Sequence, residues 1–155
     1  MRDLAVLKAA LADLLSDKNL VCQKDEQGKI VKTFCNLGAM RAARAMGCDE
    51  LDNMVADAQY WVMAANASNR WAKVAGMTAS AHANAGGLSF AAMDSQGLKQ
   101  AHGHIACLSP EPMQFSGSLN KLVPMVCNIG QVNADQKVSK SFPVAQGEPD
   151  YFIWD

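Results

Sequence analysis

"KTFCNLGAMRAARAMG", Lys32 to Gly47, is the stretch on which the reading of this chain turns. A lone cysteine, Cys35, stands where an extended segment gives way to an Ala-rich helical pattern. Thr33 has the side chain of an N-cap and Gly47 marks a stop, so the pattern predicts a helix from about Phe34 to Met46. Cys35 then falls in the first turn. Backbone N–H groups there lack intrahelical partners and the dipole is positive, so a thiolate is stabilised and the thiol pKa is expected to fall. The same N–H groups can receive an oxyanion. Three roles are open to Cys35: a small buried hydrophobe, a disulfide partner or a nucleophile.

N-terminal to this stretch, "MRDLAVLKAALADLLSDKNL" has Leu4, Leu7, Leu11, Leu14 and Leu15 at helical spacing. Asp3, Lys8 and Asp13 interrupt the apolar run, which argues for a structural helix over about 3–16 and against a secretory leader. The chain is therefore expected to be made without a Sec leader. A polar segment follows, with Gly28 as its turn signal. C-terminal to the stretch, Asp49 or Asp52 can cap a third helix through "MVADAQYWVMAA", with Met54, Val55, Ala58, Trp61 and Val62 on one face. Thr78 opens a fourth helix that Gly86 and Gly87 end.

The pattern then changes. "GLSFAAMD", "GHIACLSP", "LVPMVCNIG" and "PDYFIWD" are short apolar runs bounded by Gly, Pro, Asn and Ser, and they read as strands. "SPEPMQFSGSLNK" reads as a loop or hairpin connection. Helices first and strands later predict an α+β fold, N-terminal helices packed on a small antiparallel β-sheet. At 155 residues, with half of them hydrophobic, the chain has enough material for one cored domain, and no linker or repeat divides it. A net charge of −1 without a basic stripe argues against nucleic acid. No apolar run reaches the roughly 18 residues of a membrane helix, so no membrane insertion is expected.

Five cysteines are present, Cys22, Cys35, Cys48, Cys107 and Cys127, so at least one is unpaired within a monomer. No CxxC and no zinc-finger spacing occurs. His102 and His104 would face one side of a strand, as metal ligands could, but no second ligand cluster stands near them. Neither a metal nor a cofactor is predicted. Packing suffices for most of the cysteines, and Cys107 and Cys127 lie in core-like strands. A nucleophilic Cys35 needs an imidazole base. His104 suits that role, because it follows Gly103 at the start of "HIACL", where a strand end can face a helix start. His82 and His102 read as structural or surface groups. Trp61 and Trp71 read as core, with a cleft-lining role as the rival.

Taken in order, "TFCNLGAMRAARAMG", "DNMVADA", "RWAKVAGMTASAHANAGGLSFAAM", "HGHIACLSP", "VPMVCNIGQVN" and "PDYFIWD" resemble the papain-like cell-wall peptidases, the superfamily of the NlpC and CHAP groups. They are most similar in look to the amidase effectors of type VI secretion systems and related phage enzymes. The resemblance covers about residues 20–155 and implies a single papain-like peptidase domain over 1–155. It departs in detail: the usual D-C-S-G-F is "TFCNLGA" here, with Asn36 for the common serine and no Asp before the cysteine. The order Cys before His matches the unpermuted members.

The resemblance implies hydrolysis of an amide bond in a peptidoglycan stem peptide, through a thioester on Cys35 with His104 as base and then acid. A third polar group should orient the imidazole. In the family it comes from the next strand, which here offers Asn128 first and Gln131 or Asn133 as runners-up. The Cys35 N–H is the expected first oxyanion donor. The implied setting is the periplasm or cell wall, reached by a secretion system or phage lysis, with a peptidoglycan peptide as substrate, an immunity or inhibitor protein as a further partner, and a monomeric enzyme. Two other classes stay open: a relative that only binds a peptide or partner, and a cytoplasmic thiol deamidase acting on proteins.

Overall fold

A computed structural model describes residues 2–155. Helix α1 (Leu4–Ser16) starts at Asp3, whose carboxylate accepts the amides of Ala5 and Val6. It buries Leu7, Leu11 and Leu14, the stripe its leucine spacing predicts. The polar segment after it forms a small hairpin, β1 (Gln23–Lys24) and β2 (Ile30–Lys32), which turns at Gly28 with φ 78°. Helix α2 (Cys35–Ala45) packs on α1 and stops at Gly47 with φ 83°, a value that disfavours any side chain. Then come α3 (Ala56–Ala65), β3 (Trp71–Val74), α4 (Gly76–Asn84), β4 (Leu88–Met93) and the short α5 (Ser95–Leu98). The strand-rich half holds β5 (His104–Leu108), the β6 (Gln114–Ser116) and β7 (Lys121–Val123) hairpin, β8 (Met125–Asn128), β9 (Ala134–Lys137), the short α6 (Val138–Ser141) and β10 (Asp150–Trp154).

Six strands make one sheet in the order β3-β10-β4-β5-β8-β9, antiparallel at every seam. The architecture is thus α+β with an antiparallel sheet. Alternation along the strands sends Phe90, Ile105, Cys107, Cys127 and Phe152 into one core with the apolar faces of α1 and α2. Ala91, Ala106, Leu108, Val126 and Tyr151 face the other side, against α4 and Phe142. β10 is registered on β4 from Asp150↔Ala92 to Trp154↔Leu88, whereas the β5–β8 seam is registered only at Cys107↔Cys127 and Leu108↔Val126. Beyond Cys107 toward His104 the two strands leave the ladder, and a cleft opens there.

Several expectations are corrected. Helix α3 buries Ala56, Gln59 and Met63, not the face with Val55 and Trp61, which are 64% and 55% exposed. Gln59 can take the core position because its Nε2 donates to the carbonyls of Asn36 and Leu51. Trp61 sits edge-on against Tyr60 at the surface, and Trp71 is in the core. Neither Asp49 nor Asp52 caps α3, whose N-cap is Val55. Asp52 instead takes the Arg44 guanidinium in a bidentate pair. Asn53 is in a left-handed turn at φ 55°, ahead of the helix. Pro124 divides the expected "LVPMVCNIG" strand into β7 and β8.

At one corner the Arg2 guanidinium grips the Asp155 carboxylate. His82 Nε2 reaches the same carboxylate at 3.3 Å while its Nδ1 meets Ser89 Oγ at 3.0 Å, a structural use of that buried histidine. No helix among the described residues is long and apolar enough to cross a membrane.

Candidate active site

Cys35 is the first residue of α2, one step past an N-cap that is Phe34 and not Thr33. Phe34 provides no side-chain cap, which leaves first-turn amides free to face the Cys35 sulfur. The side chain that follows, Asn36, turns away and donates to the Met54 carbonyl at 2.9 Å, which braces the start of α2 against the segment leading into α3. Asn36, the residue standing where the resembled family has serine, is therefore a structural tie.

His104 opens β5 on the far wall of the same cleft. Its Nε2 lies 2.8 Å from Asn128 Oδ1. The Asn128 amide nitrogen donates to the Val132 carbonyl at 2.6 Å, which fixes Oδ1 as the acceptor toward the ring. His104 must then carry its proton on Nε2 and present a bare Nδ1, the basic atom. The ring leans on Phe142, centroids 5.0 Å apart. Gly130 closes in beside it: a Cβ there would lie 3.2 Å from the His104 Cε1 and 3.4 Å from the Asn128 Nδ2.

Of the three residues weighed as orienters, only Asn128 meets the imidazole. Asn133 holds the 128–133 loop, accepting the Gly130 N–H and donating to the Leu20 carbonyl, both at 2.9 Å. Gln131 lines the cleft, and its carbonyl accepts the Cys22 S–H at 3.5 Å.

Cys35, His104 and Asn128 all line one cleft of about 910 Å³. No hydrogen bond joins Cys35 to His104 among the described residues. The sulfur rests instead near the backbone N–H groups of Ile105, Asn36 and Cys35 itself. Ile105 is the residue after His104, so the thiol lies against the first peptide of β5. Burial pushes the Cys35 thiol up, and those three N–H groups only partly offset the rise. The expected fall in thiol pKa is thus overturned: at 7% exposure, lost hydration outweighs the helix start. Burial likewise lowers the His104 imidazolium, against the opposing pull of Asn128. The resting pair is a neutral thiol and a neutral imidazole.

His102, weighed with His104 as a metal pair, lies in the loop before β5 and not on the strand, though it also lines the cleft. No group of three or more His, Cys, Asp or Glu side chains among the described residues is arranged to hold a metal ion. Phe142 and Gly130, both against the ring, are site residues that sequence reasoning missed. Val31, Val55 and Val132, all more than half exposed, form an apolar rim around the cleft mouth.

No known family's model matches the chain, and no curated protein matches it.

Proposed function

We propose that this chain is a papain-like cysteine amidase that hydrolyses an amide bond in peptidoglycan stem peptides. The observation that carries the chemistry is the His104–Asn128 pair opening, with a helix-start cysteine, onto one cleft. The choice of wall peptides as substrate rests on the resemblance of the ordered sequence segments.

In this mechanism the carbonyl carbon of the scissile amide approaches the Cys35 Sγ. His104 Nδ1 takes the thiol proton as the S–C bond forms, and Asn128 supports the imidazolium through Nε2–H. The Cys35 N–H, at the uncapped start of α2, donates to the oxyanion. His104 returns the proton to the leaving amine as the C–N bond breaks, leaving a thioester on Cys35. Water, deprotonated by the same Nδ1, attacks the thioester; the S–C bond breaks, His104 returns the proton to the Cys35 sulfur, and the acyl group leaves as a carboxylic acid that ionises in solution. A neutral resting thiol fits this order, because the proton moves when substrate is bound.

The test is incubation with purified peptidoglycan and mass analysis of soluble fragments, beside a Cys35→Ala control. New soluble fragments whose masses sum to the parent muropeptide plus one water, absent from the control, are expected. Unchanged sacculi, with the protein folded, would remove the wall substrate. Cytoplasmic toxicity that depends on Cys35, with glutamine-to-glutamate changes in host proteins, would favour the deamidase.

A further inference from the structure

Three buried cysteines, Cys48, Cys107 and Cys127, take no part in that chemistry, and two of them are neighbours. Cys107 on β5 and Cys127 on β8 are direct partners across an antiparallel seam. Both point to the same face of the sheet, into the core shared with α1 and α2, and they are 3% and 2% exposed. The Ser109 N–H donates to the Met125 carbonyl at 3.0 Å two residues further along the same ladder. Pair type alternates along an antiparallel ladder, so Cys107↔Cys127 is again a hydrogen-bonded pair, with Cα atoms about 5.5 Å apart. Disulfides span Cα separations of roughly 4.4–6.8 Å. Both thiols now donate to carbonyls, Cys107 to Leu108 and Cys127 to Leu11, each at 3.8 Å. Each can turn toward the other by rotation about its own Cα–Cβ bond.

We propose that Cys107 and Cys127 form a cross-strand disulfide when the chain folds in the presence of a disulfide oxidant, tying the strand that carries His104 to the strand that carries Asn128. The proposal does not rest on the hydrolase reading. Its position gives it a purpose. β5 and β8 share the shortest seam of the six-stranded sheet, because they part to open the cleft. A covalent link at Cys107–Cys127 fixes the last registered pair before that opening. It also closes the stretch from 107 to 127, which carries the β6–β7 hairpin.

The chemistry balances with a small-molecule or protein disulfide as the co-reactant. The thiolate of one cysteine attacks a sulfur of the oxidant, forming a mixed disulfide and expelling one thiolate. The second cysteine, deprotonated, attacks the protein sulfur of that mixed disulfide and expels the other. Two protein thiols lose two electrons and two protons; one oxidant disulfide becomes two thiols. Burial raises both thiols in the folded protein, Cys127 to about 12, so exchange belongs to the folding chain, before α1 and α2 close over the pair. Cys22, Cys35 and Cys48 have no cross-strand partner of this kind and stay reduced.

The experiment refolds the reduced, denatured protein either with oxidised glutathione or with excess dithiol. Thiols are then blocked with N-ethylmaleimide in denaturant, counted by mass and mapped by peptide. Three blocked thiols after oxidative refolding, against five with dithiol, and a peptide joining Cys107 to Cys127 are expected. The oxidised form should melt about 5–10 °C higher. Cys127→Ala should lose the oxidant-dependent shift, whatever its baseline. The comparison of oxidised with reduced native sequence stands even if that variant folds poorly. Five blocked thiols and one melting temperature under both conditions would overturn the proposal, as would a cross-link mapped through any other cysteine.

Discussion

Asn128 holds the Nε2 proton of His104 across 2.8 Å, and its own amide is pinned from behind by the Val132 carbonyl. The imidazole is left with one free nitrogen and one direction for it. The proposed mechanism needs that tautomer of a base toward Cys35, and the Val132 carbonyl, four residues on from Asn128, enforces it.

Replacing Asn128 with Ala removes the acceptor and lets the ring flip or rotate. We expect kcat to fall about a hundredfold, at the low end of what positioned acid–base catalysis contributes. KM should change little. Steady-state kinetics on muropeptides measures the split, and an unchanged kcat would mean that the pair is structural only.

Cys35→Ala removes the attacking atom and little volume. Hydrolysis should drop at least a thousandfold, as for other nucleophile deletions, while the melting temperature stays within a few degrees. Cys22→Ala and Cys48→Ala should each leave hydrolysis largely in place.

At pH 7 both Cys35 and His104 are neutral, since burial raises the one and lowers the other. The thiolate fraction then grows with pH up to and past the ordinary thiol value of about 8.5. Iodoacetamide labelling of Cys35, read by peptide mass, should climb roughly tenfold per unit between about pH 6 and pH 8. A flat rate down to acid pH would reveal a preformed thiolate–imidazolium pair.

Gly130→Ala would set a methyl 3.2 Å from the imidazole edge. The ring has Phe142 behind it, so little retreat is open. Activity should fall about tenfold, the cost of a displacement well under 1 Å. Circular dichroism should show an unchanged fold. Full activity would show that the 128–133 loop can yield.

Glu50 accepts the indole N–H groups of Trp71 at 3.0 Å and of Trp154 at 2.9 Å, joining β3 to β10. Burial pushes its carboxyl up, but the Trp154 indole, Ser68, Trp71 and Arg70 together outweigh that and lower its pKa. A depressed carboxylate stabilises the fold above its unfolded pKa of about 4.3, and the benefit is lost as pH falls through the folded value. Glu50→Gln should cost about 1–2 kcal/mol at pH 7, with the gap to the native sequence narrowing below about pH 4. Urea titrations at both pH values measure it.

The elements most readable from sequence are those whose pattern answers to burial alone. α1 announces itself through its leucines, and β4, β5 and β10 through apolar runs that two covered faces require. β9, "ADQK", is polar because it is an edge strand held to β8 by main-chain bonds, and nothing in its side chains signals a strand. The β1–β2 hairpin shows only its turn, at Gly28, and its largely exposed strands carry no burial pattern. Within the site, Cys35, His104 and Asn128 stood out because reactive groups at element ends are few. Phe142 and Gly130 act only through what the fold brings beside them. The thiol pKa is illegible for the same reason: a helix start is visible in sequence, but the β5 peptide that lies against the buried sulfur is not.

The Arg2–Asp155 grip brings the two ends of the described backbone to a single corner, away from the residues that line the cleft. The chain path is close to a closed ring. A short Gly-Ser linker across that corner, with new ends cut at the exposed Gly117–Ser118 turn between β6 and β7, should give a circular permutant with the same sheet order and cleft. Chain order is thus separable from chain geometry in this fold: Asn128 could be made to precede both Cys35 and His104 along the backbone and still face the same cavity.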